Sequence, residues 1–226
     1  MKKDGFLRIC TYNILHGQMT GGDEGLIGRA LADLDADIVG LQEVDVNTAR
    51  VEGRDVLSLV AAAGGYPYYA FAKAIPLGGG EYGTAILSRF PITSFSVTPL
   101  PGMEGCEDRS IGHAVIDLDG EALDVFNTHL AYESNDLRRI QLRVIAPMLE
   151  QVGKFVLMGD FNLEDVEELA VFKGARTLNE RAYPTYYPSG WAIDHIVIPA
   201  SVASGRVEMP TPLYSDHYPL VADLYL

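Results

Sequence analysis

Residues 6–44 read FLRICTYNILHGQMTGGDEGLIGRALADLDADIVGLQEV, and their periodicity decides the fold class. Residues 6–15 form a strand-like run. Leu26, Ile27, Ala30, Leu31 and Leu34 then recur at the spacing of one helical face, and Ile38, Val39 and Leu41 make a short apolar strand. Working outward, Val56, Leu59, Val60 and Ala63 repeat the helical spacing until Gly64-Gly65 stop it. Between Tyr66 and Leu130 the pattern turns to strands, around Phe71 and at 84–88, 95–98, 114–118 and 123–130. Asp119-Gly120 is a strong hairpin turn between the last two. A third helix is expected from Ser134-Asn135-Asp136 through Leu137, Ile140 and Val144, with Pro147 kinking or interrupting it. Strands at 155–158, 193–198 and 219–226 and a short helix at 166–172 complete the chain. No linker, repeat or composition break divides it, so residues 1–226 read as one domain. Two face-to-face sheets with helices on their outer surfaces would bury what the pattern marks as buried.

Composition narrows the partners. The chain has 226 residues, 48% of them hydrophobic, enough for an ordinary packed core. Its formal charge is −14, and no basic cluster stands out beyond Arg138, Arg139 and Arg143, so an extended nucleic acid track is disfavoured. The opening MKKDGFLRIC lacks the apolar stretch of a signal peptide, and no run is long enough for a membrane span. Two cysteines, Cys10 and Cys106, are too few for a disulfide framework. A reduced, cytoplasmic protein is expected.

Polar residues of a few types recur where strands end, which is where a rigid scaffold holds loop-borne sites. Glu43 closes the apolar run at 38–41; alone it could equally be a turn or helix cap. Asn13 alone is ordinary turn chemistry, but together the two suit a hard cation such as Mg²⁺. Asp160 and Asn162 lie two apart after the strand at 155–158; extended backbone would put both on one face, and an Asx turn is the alternative. Asn127 and His129 share a face with Leu123 and Val125, which implies that this face opens into a cleft; a core histidine is the alternative. Asp194 points opposite to Ile193, His195 and Val197, so His195 is read as structural. Asp216-His217 precedes the last strand, and a histidine oriented by a carboxylate such as Asp194 can take a proton from water. Gly78-Gly79-Gly80 has no following Gly-Lys-Ser/Thr and reads as a flexible loop, not a P-loop.

Taken in order, the stretches TYNILHG (11–17), LQEV (41–44), YGTAILSRFPI (82–92), NTHL (127–130), GDFN (159–162), IDHI (193–196) and SDHYPL (215–220) resemble the endonuclease/exonuclease/phosphatase superfamily. The resemblance implies an α/β fold, a four-layer α/β/β/α sandwich of two mixed β-sheets with helices on both outer faces, and Mg²⁺ or Mn²⁺ at the site. By position it makes Glu43, Asn13 and Asp216 metal-side residues, with Glu43 the main ligand. Asp160 and Asn162 resemble the pair that positions water and phosphate, Asp194 and His217 the orienting carboxylate and its histidine, and His129 a donor to a phosphate oxygen. Tyr82 joins the catalytic set, and Arg109 matches a phosphate-contacting arginine, with a surface salt bridge as its alternative. Position 195 is more often aromatic in this motif, so His195 departs from it.

The implied activity is hydrolysis of a phosphodiester or phosphomonoester by an activated in-line water. Fold-level resemblance does not choose the substrate; a small phosphoester or a short nucleic acid end is favoured. The rivals are a lipid phosphodiesterase of sphingomyelinase type and a catalytically silent member that binds a phosphorylated partner.

Overall fold

The computed structural model describes residues 5–210 and 214–226. Residues 1–4, on which part of the signal-peptide reading falls, and 211–213 lie outside the described residues. In chain order, β1 (Leu7–Asn13) leads through a short helical turn (Leu15–Thr20) and α1 (Gly25–Asp33) to β2 (Ile38–Val46). Then α2 (Val56–Gly64) precedes β3 (Tyr68–Leu77), β4 (Gly80–Ser88), β5 (Ile92–Pro99), β6 (Ser110–Leu118) and β7 (Glu121–His129). After α3 (Asn135–Glu150) come β8 (Phe155–Asp160), a helical turn (Val166–Val171), β9 (Ala175–Thr177), β10 (Asp194–Pro199), β11 (Ala203–Glu208) and β12 (Leu220–Tyr225).

Two six-stranded sheets form, in the orders β11-β12-β1-β2-β4-β3 and β5-β6-β7-β8-β10-β9. Each is mixed, with one parallel pair at its centre, β1 with β2 and β7 with β8. Strand alternation sorts the side chains into three apolar layers. Leu7, Ile9, Ile38, Leu123, Val125, Val156 and Ile196 meet between the sheets. Cys10, Tyr12, Val39 and Leu41 face the other way, under Ile27 and Leu31 of α1 and Val56 and Val60 of α2. Phe126, Phe155, Leu157 and Val197 lie under Leu142, Ile145 and Leu149 of α3. The result is the expected four-layer α/β/β/α sandwich. Among the described residues no helix is long and apolar enough to cross a membrane.

Four local features depart from the sequence reading. Helix α3 starts as expected, Ser134 Oγ capping Leu137 N–H at 3.2 Å, but it runs unbroken through Pro147. The proline stands in the last turn, where its missing N–H removes a single bond, and Ile145, Ala146 and Leu149 keep the helix seated. The triple glycine is not a flexible loop. Gly78 and Gly79, at φ 52° and 85°, make the tight turn of the β3–β4 hairpin, and Gly78 O accepts from Ala49 N–H at 3.0 Å. Strands β9 and β11 went unread because they are short edge strands with little apolar alternation. The fourth departure, a bulge in β2, shapes the site.

Candidate active site

On the inner face of the second sheet, apolar residues near the strand middles give way to polar ones at one end. Val156 and Met158 lead to Asp160, Ile198 and Ile196 to Asp194, and Leu123 and Val125 to Asn127 and His129. These ends border one cleft of about 550 Å³, whose lining includes Glu43, Tyr82, Arg109, His129, Asp160, Asn162, Asp216 and His217. Asn127 does not reach it. Its Nδ2 donates to Leu41 O and Ala85 O, both at 2.8 Å, and its Oδ1 accepts from Gln42 Nε2 at 2.7 Å. It is a fully buried polar tie between the sheets, one step short of the cleft.

Glu43 reaches the site only because β2 is irregular. Plain alternation would put it beside Val39 and Leu41, against the helices. Between Leu41 and Val44 the pairing with β4 shifts, and Glu43 adopts φ 56°. This bulge sends Val44 to the helix side and turns Glu43 towards the cleft. There Asn13 Nδ2 donates to Glu43 Oε1 at 3.2 Å and to Asp160 Oδ2 at 3.0 Å, while Asn13 Oδ1 accepts from Leu15 N–H at 3.1 Å. Asn13 thus ties together a carboxylate from each sheet. Burial pushes the Glu43 carboxyl up, but the His16 imidazole and the Asn13 amide beside it more than offset it and hold it at about 2.

Asp160 ends β8 immediately after Gly159, whose φ is 151° and where a Cβ would lie 2.0 Å from Thr128 O, so only glycine fits. Extended backbone does not persist beyond it. Asn162 sits at φ 52°, and its N–H donates to Asp160 Oδ1 at 3.0 Å, so an Asx turn forms. The turn still leaves both side chains on the cleft, with Asn162 Nδ2 donating to Leu130 O at 3.0 Å.

His217 is buried between two carboxylates, Nδ1 2.8 Å from Asp194 Oδ2 and Nε2 3.6 Å from Asp160 Oδ2. Burial opposes the charged ring, but Asp194 and Asp160 outweigh it and hold His217 well above the usual histidine range. Burial and then Asp194 push Asp160 up in turn. Ser215 Oγ donates to Asn13 O at 2.7 Å and accepts from His217 N–H at 3.2 Å, which fixes this loop against β1. Its neighbour Asp216 lines the cleft. His195 points the other way, its ring 5.3 Å from that of Phe161 and Nδ1 3.0 Å from Thr177 Oγ1. Burial lowers it to about 4, so it is a neutral core residue.

His129 Nε2 stands 3.5 Å from Asp160 Oδ2, and its Nδ1 faces Arg109 Nη1 at 3.2 Å. Burial and Arg109 hold His129 well below the usual range, so the ring is neutral; Arg109 then donates to Nδ1, and Nε2 carries the hydrogen facing the cleft. Arg109 does form a salt bridge, with Glu107 at 2.6 Å, but inside the cleft, buried rather than on the surface. Tyr82 is buried, with the Arg50 guanidinium 5.1 Å from its ring centre, and burial pushes its phenol far up. Cleft residues that sequence reasoning passed over include Arg50, Glu107, Tyr132 and Trp191. They come from turns and loops with no motif of their own, whereas Tyr186, also on the cleft, belongs to a tyrosine-rich stretch at 183–187 that could equally line a cleft or pack.

A sequence model of the Endonuclease/Exonuclease/phosphatase family matches residues 10–217. The uncharacterized protein YbhP of Escherichia coli is 28% identical over 249 residues, covering 97% of this chain and 96% of YbhP. The crystal structure of an endonuclease/exonuclease/phosphatase from Beutenbergia cavernae superposes at TM-score 0.85 and 22% identity, over 97% of this chain and 71% of that one. Mannosyl-6-phosphatase Bt3783 of Bacteroides thetaiotaomicron superposes at TM-score 0.73 and 19% identity, over 96% of this chain and 99% of that one. With nearly the whole chain matched and its fold the same two-sheet sandwich, the protein belongs to the endonuclease/exonuclease/phosphatase family, whose members are generally divalent-metal-dependent phosphoester hydrolases.

Proposed function

We propose that this protein hydrolyses small phosphoesters with the help of Mg²⁺ or Mn²⁺, by in-line attack of a water. The observation that carries the reading is the setting of Asp160: one carboxylate facing the Asn13 amide, the Asn162 N–H and the Nε2 atoms of His129 and His217, at the edge of an open cleft.

The donor set fits a divalent cation. Glu43 and Asp216 offer hard carboxylate oxygens on the cleft wall, and the Glu43 side chain keeps 21% of its surface exposed. Several carboxylates this close repel one another unless positive charge sits among them. Asp160, Asp194 and His217 also bring ligand atoms within 4.8 Å of one another, but a cation there would divide the Asp194–His217 hydrogen bond. Glu43 and Asp216 are therefore the residues that would hold the ion. Asn13, with its oxygen engaged by Leu15, serves them as a donor to Glu43 rather than as a ligand. When bound, the cation supplies Lewis-acid neutralisation of phosphoryl oxygen charge.

The electrostatics suggest a division of labour that differs from the expected one. With a carboxylate on each ring nitrogen, His217 is kept protonated, which suits donation to a phosphoryl oxygen better than proton abstraction. Asp160, pushed up by burial, is the better base for the attacking water. His129 Nε2 and Asn162 would add donors to charge developing on phosphorus.

A small phosphoester suits this cleft better than a long polyanion. Of its three arginines, Arg50 is paired with Asp45 and Arg109 with Glu107, while Arg138 donates to Ala131 O and the Asn135 amide oxygen, and Glu164 and Asp216 add further negative charge. The structural similarity to mannosyl-6-phosphatase Bt3783 supports the same class. The test is turnover of p-nitrophenyl phosphate, bis(p-nitrophenyl) phosphate, sugar phosphates, oligonucleotides and micellar phospholipid with Mg²⁺ or Mn²⁺. EDTA and His217→Ala should each abolish it. No cation-stimulated turnover on any of these would leave a phosphate-binding role in its place.

A further inference from the structure

We infer that His16 is a positioning residue of the cation site, fixing the second carboxylate oxygen of Glu43. This rests on the metal-dependent reading above. Glu43 Oε1 is held by Asn13 at 3.2 Å, and the other oxygen, Oε2, faces His16 Nδ1 at 3.6 Å. That Nδ1 is buried and makes no hydrogen bond of its own. Closing the last few tenths of an ångström would anchor both carboxylate oxygens and leave their remaining lone pairs towards the cleft. Carboxylates that hold cations are commonly hydrogen-bonded in this way.

The backbone supplies an independent argument. Leu15, His16 and Gly17 adopt φ 46°, 43° and 78°, three left-handed residues in succession. For the two that are not glycine this costs on the order of 1–2 kcal/mol each. Such strain persists only where the surroundings enforce it, and here they do. Ile14 N–H donates to Gln42 O at 3.1 Å, Leu15 N–H to Asn13 Oδ1 at 3.1 Å and Gly17 N–H to Ile14 O at 2.9 Å. Thr20 Oγ1 closes the turn on Gly17 O at 2.8 Å, and a Cβ at position 17 would come within 2.9 Å of the buried Glu24 side chain. The same Asn13 amide that binds Glu43 thus also holds the loop that presents His16. With Glu43 itself at φ 56°, the strained residues of two elements face each other across one contact.

The experiment is a Mn²⁺ titration of the metal-free protein, read by the EPR signal of free Mn²⁺, together with its thermal midpoint. His16→Ala removes the imidazole. His16→Asn tolerates the left-handed backbone but is too short to reach Glu43. Both should weaken Mn²⁺ about 10–100-fold, and His16→Asn should leave the metal-free midpoint at or above that of the wild type. In a Glu43→Gln background, His16→Ala should cause no further loss of affinity, because its partner is gone; a merely structural residue would cost the same in both backgrounds. Affinities within twofold of the wild type, or equal losses in the two backgrounds, overturn the inference. A wild-type protein that binds no Mn²⁺ overturns the metal-dependent reading itself, and this inference with it.

Discussion

The β1–α1–β2 unit of the first sheet and the β7–α3–β8 unit of the second are built alike. In each, two parallel strands are joined by a helix on the outer face, with Asn13 beside Gln42 at the end of one pair and His129 beside Asp160 at the end of the other. Each unit delivers one carboxylate to the cleft, and there the likeness stops. Asp160 sits on a regular strand end, 1% exposed, with hydrogen-bond donors on both oxygens. Glu43 sits on a bulge, with a fifth of its side chain open to solvent. A closed carboxylate has its proton affinity set by burial and neighbours, whereas an open one keeps lone pairs free for a cation. The same backbone device therefore yields two chemically different acids, and a single irregularity in β2 makes the difference.

The sharpest way to break this comparison is to remove each charge in turn. Asp160→Asn should lower kcat about 10³-fold, and adding metal should not restore it. Glu43→Gln should lose activity chiefly through weaker cation binding, so turnover should climb again as Mn²⁺ is raised into the millimolar range. Identical metal profiles for the two variants would sink the distinction.

The tie between the units comes next. Asn127→Ala would strand the carbonyls of Leu41 and Ala85 in a buried space and take one of three acceptors from the Gln42 amide, at a cost of roughly 3 kcal/mol. That should lower Tm by roughly 6–12 °C in a chain of this size. An unchanged melting curve would mean that the two units do not depend on this contact.

The smallest expected effect is a pH effect beside β8. His195, at about 4 in the fold and near 6.5 when unfolded, binds its proton more readily in the unfolded chain. Its contribution is intact above pH 6.5 and lost as pH falls through that window, up to roughly 3 kcal/mol by pH 4. His195→Phe, which keeps a ring against Phe161, should show a shallower fall of the urea midpoint from pH 6.5 to 4. Parallel curves for variant and wild type would refute the assignment.

Much of the site was legible because strand alternation is a local rule. Leu123, Val125 and His129 were put on one face, and Asp194 and His195 on opposite faces, from period two alone, and the structure has them so. The same rule misleads where the backbone leaves the pleat. Nothing in LQEV announces a bulge, GDFN leaves extended backbone and an Asx turn both open at Asn162, and Asn127 looks like a cleft residue until the facing sheet is seen. His16 stood in the motif TYNILHG without a role, because two consecutive left-handed residues have no composition signal beyond the glycine that follows them.

Apolar periodicity and turn chemistry, both short-range properties, were enough to determine an α/β sandwich of two sheets and to put its polar residues at strand ends. Only the tertiary structure decided which of those ends meet: that Asn13 bridges carboxylates 147 and 30 positions away in the chain, and that His217 lies between two acids. Pairings of that kind depend on sheet order and on how one sheet is laid over the other, and packing of the whole chain sets both.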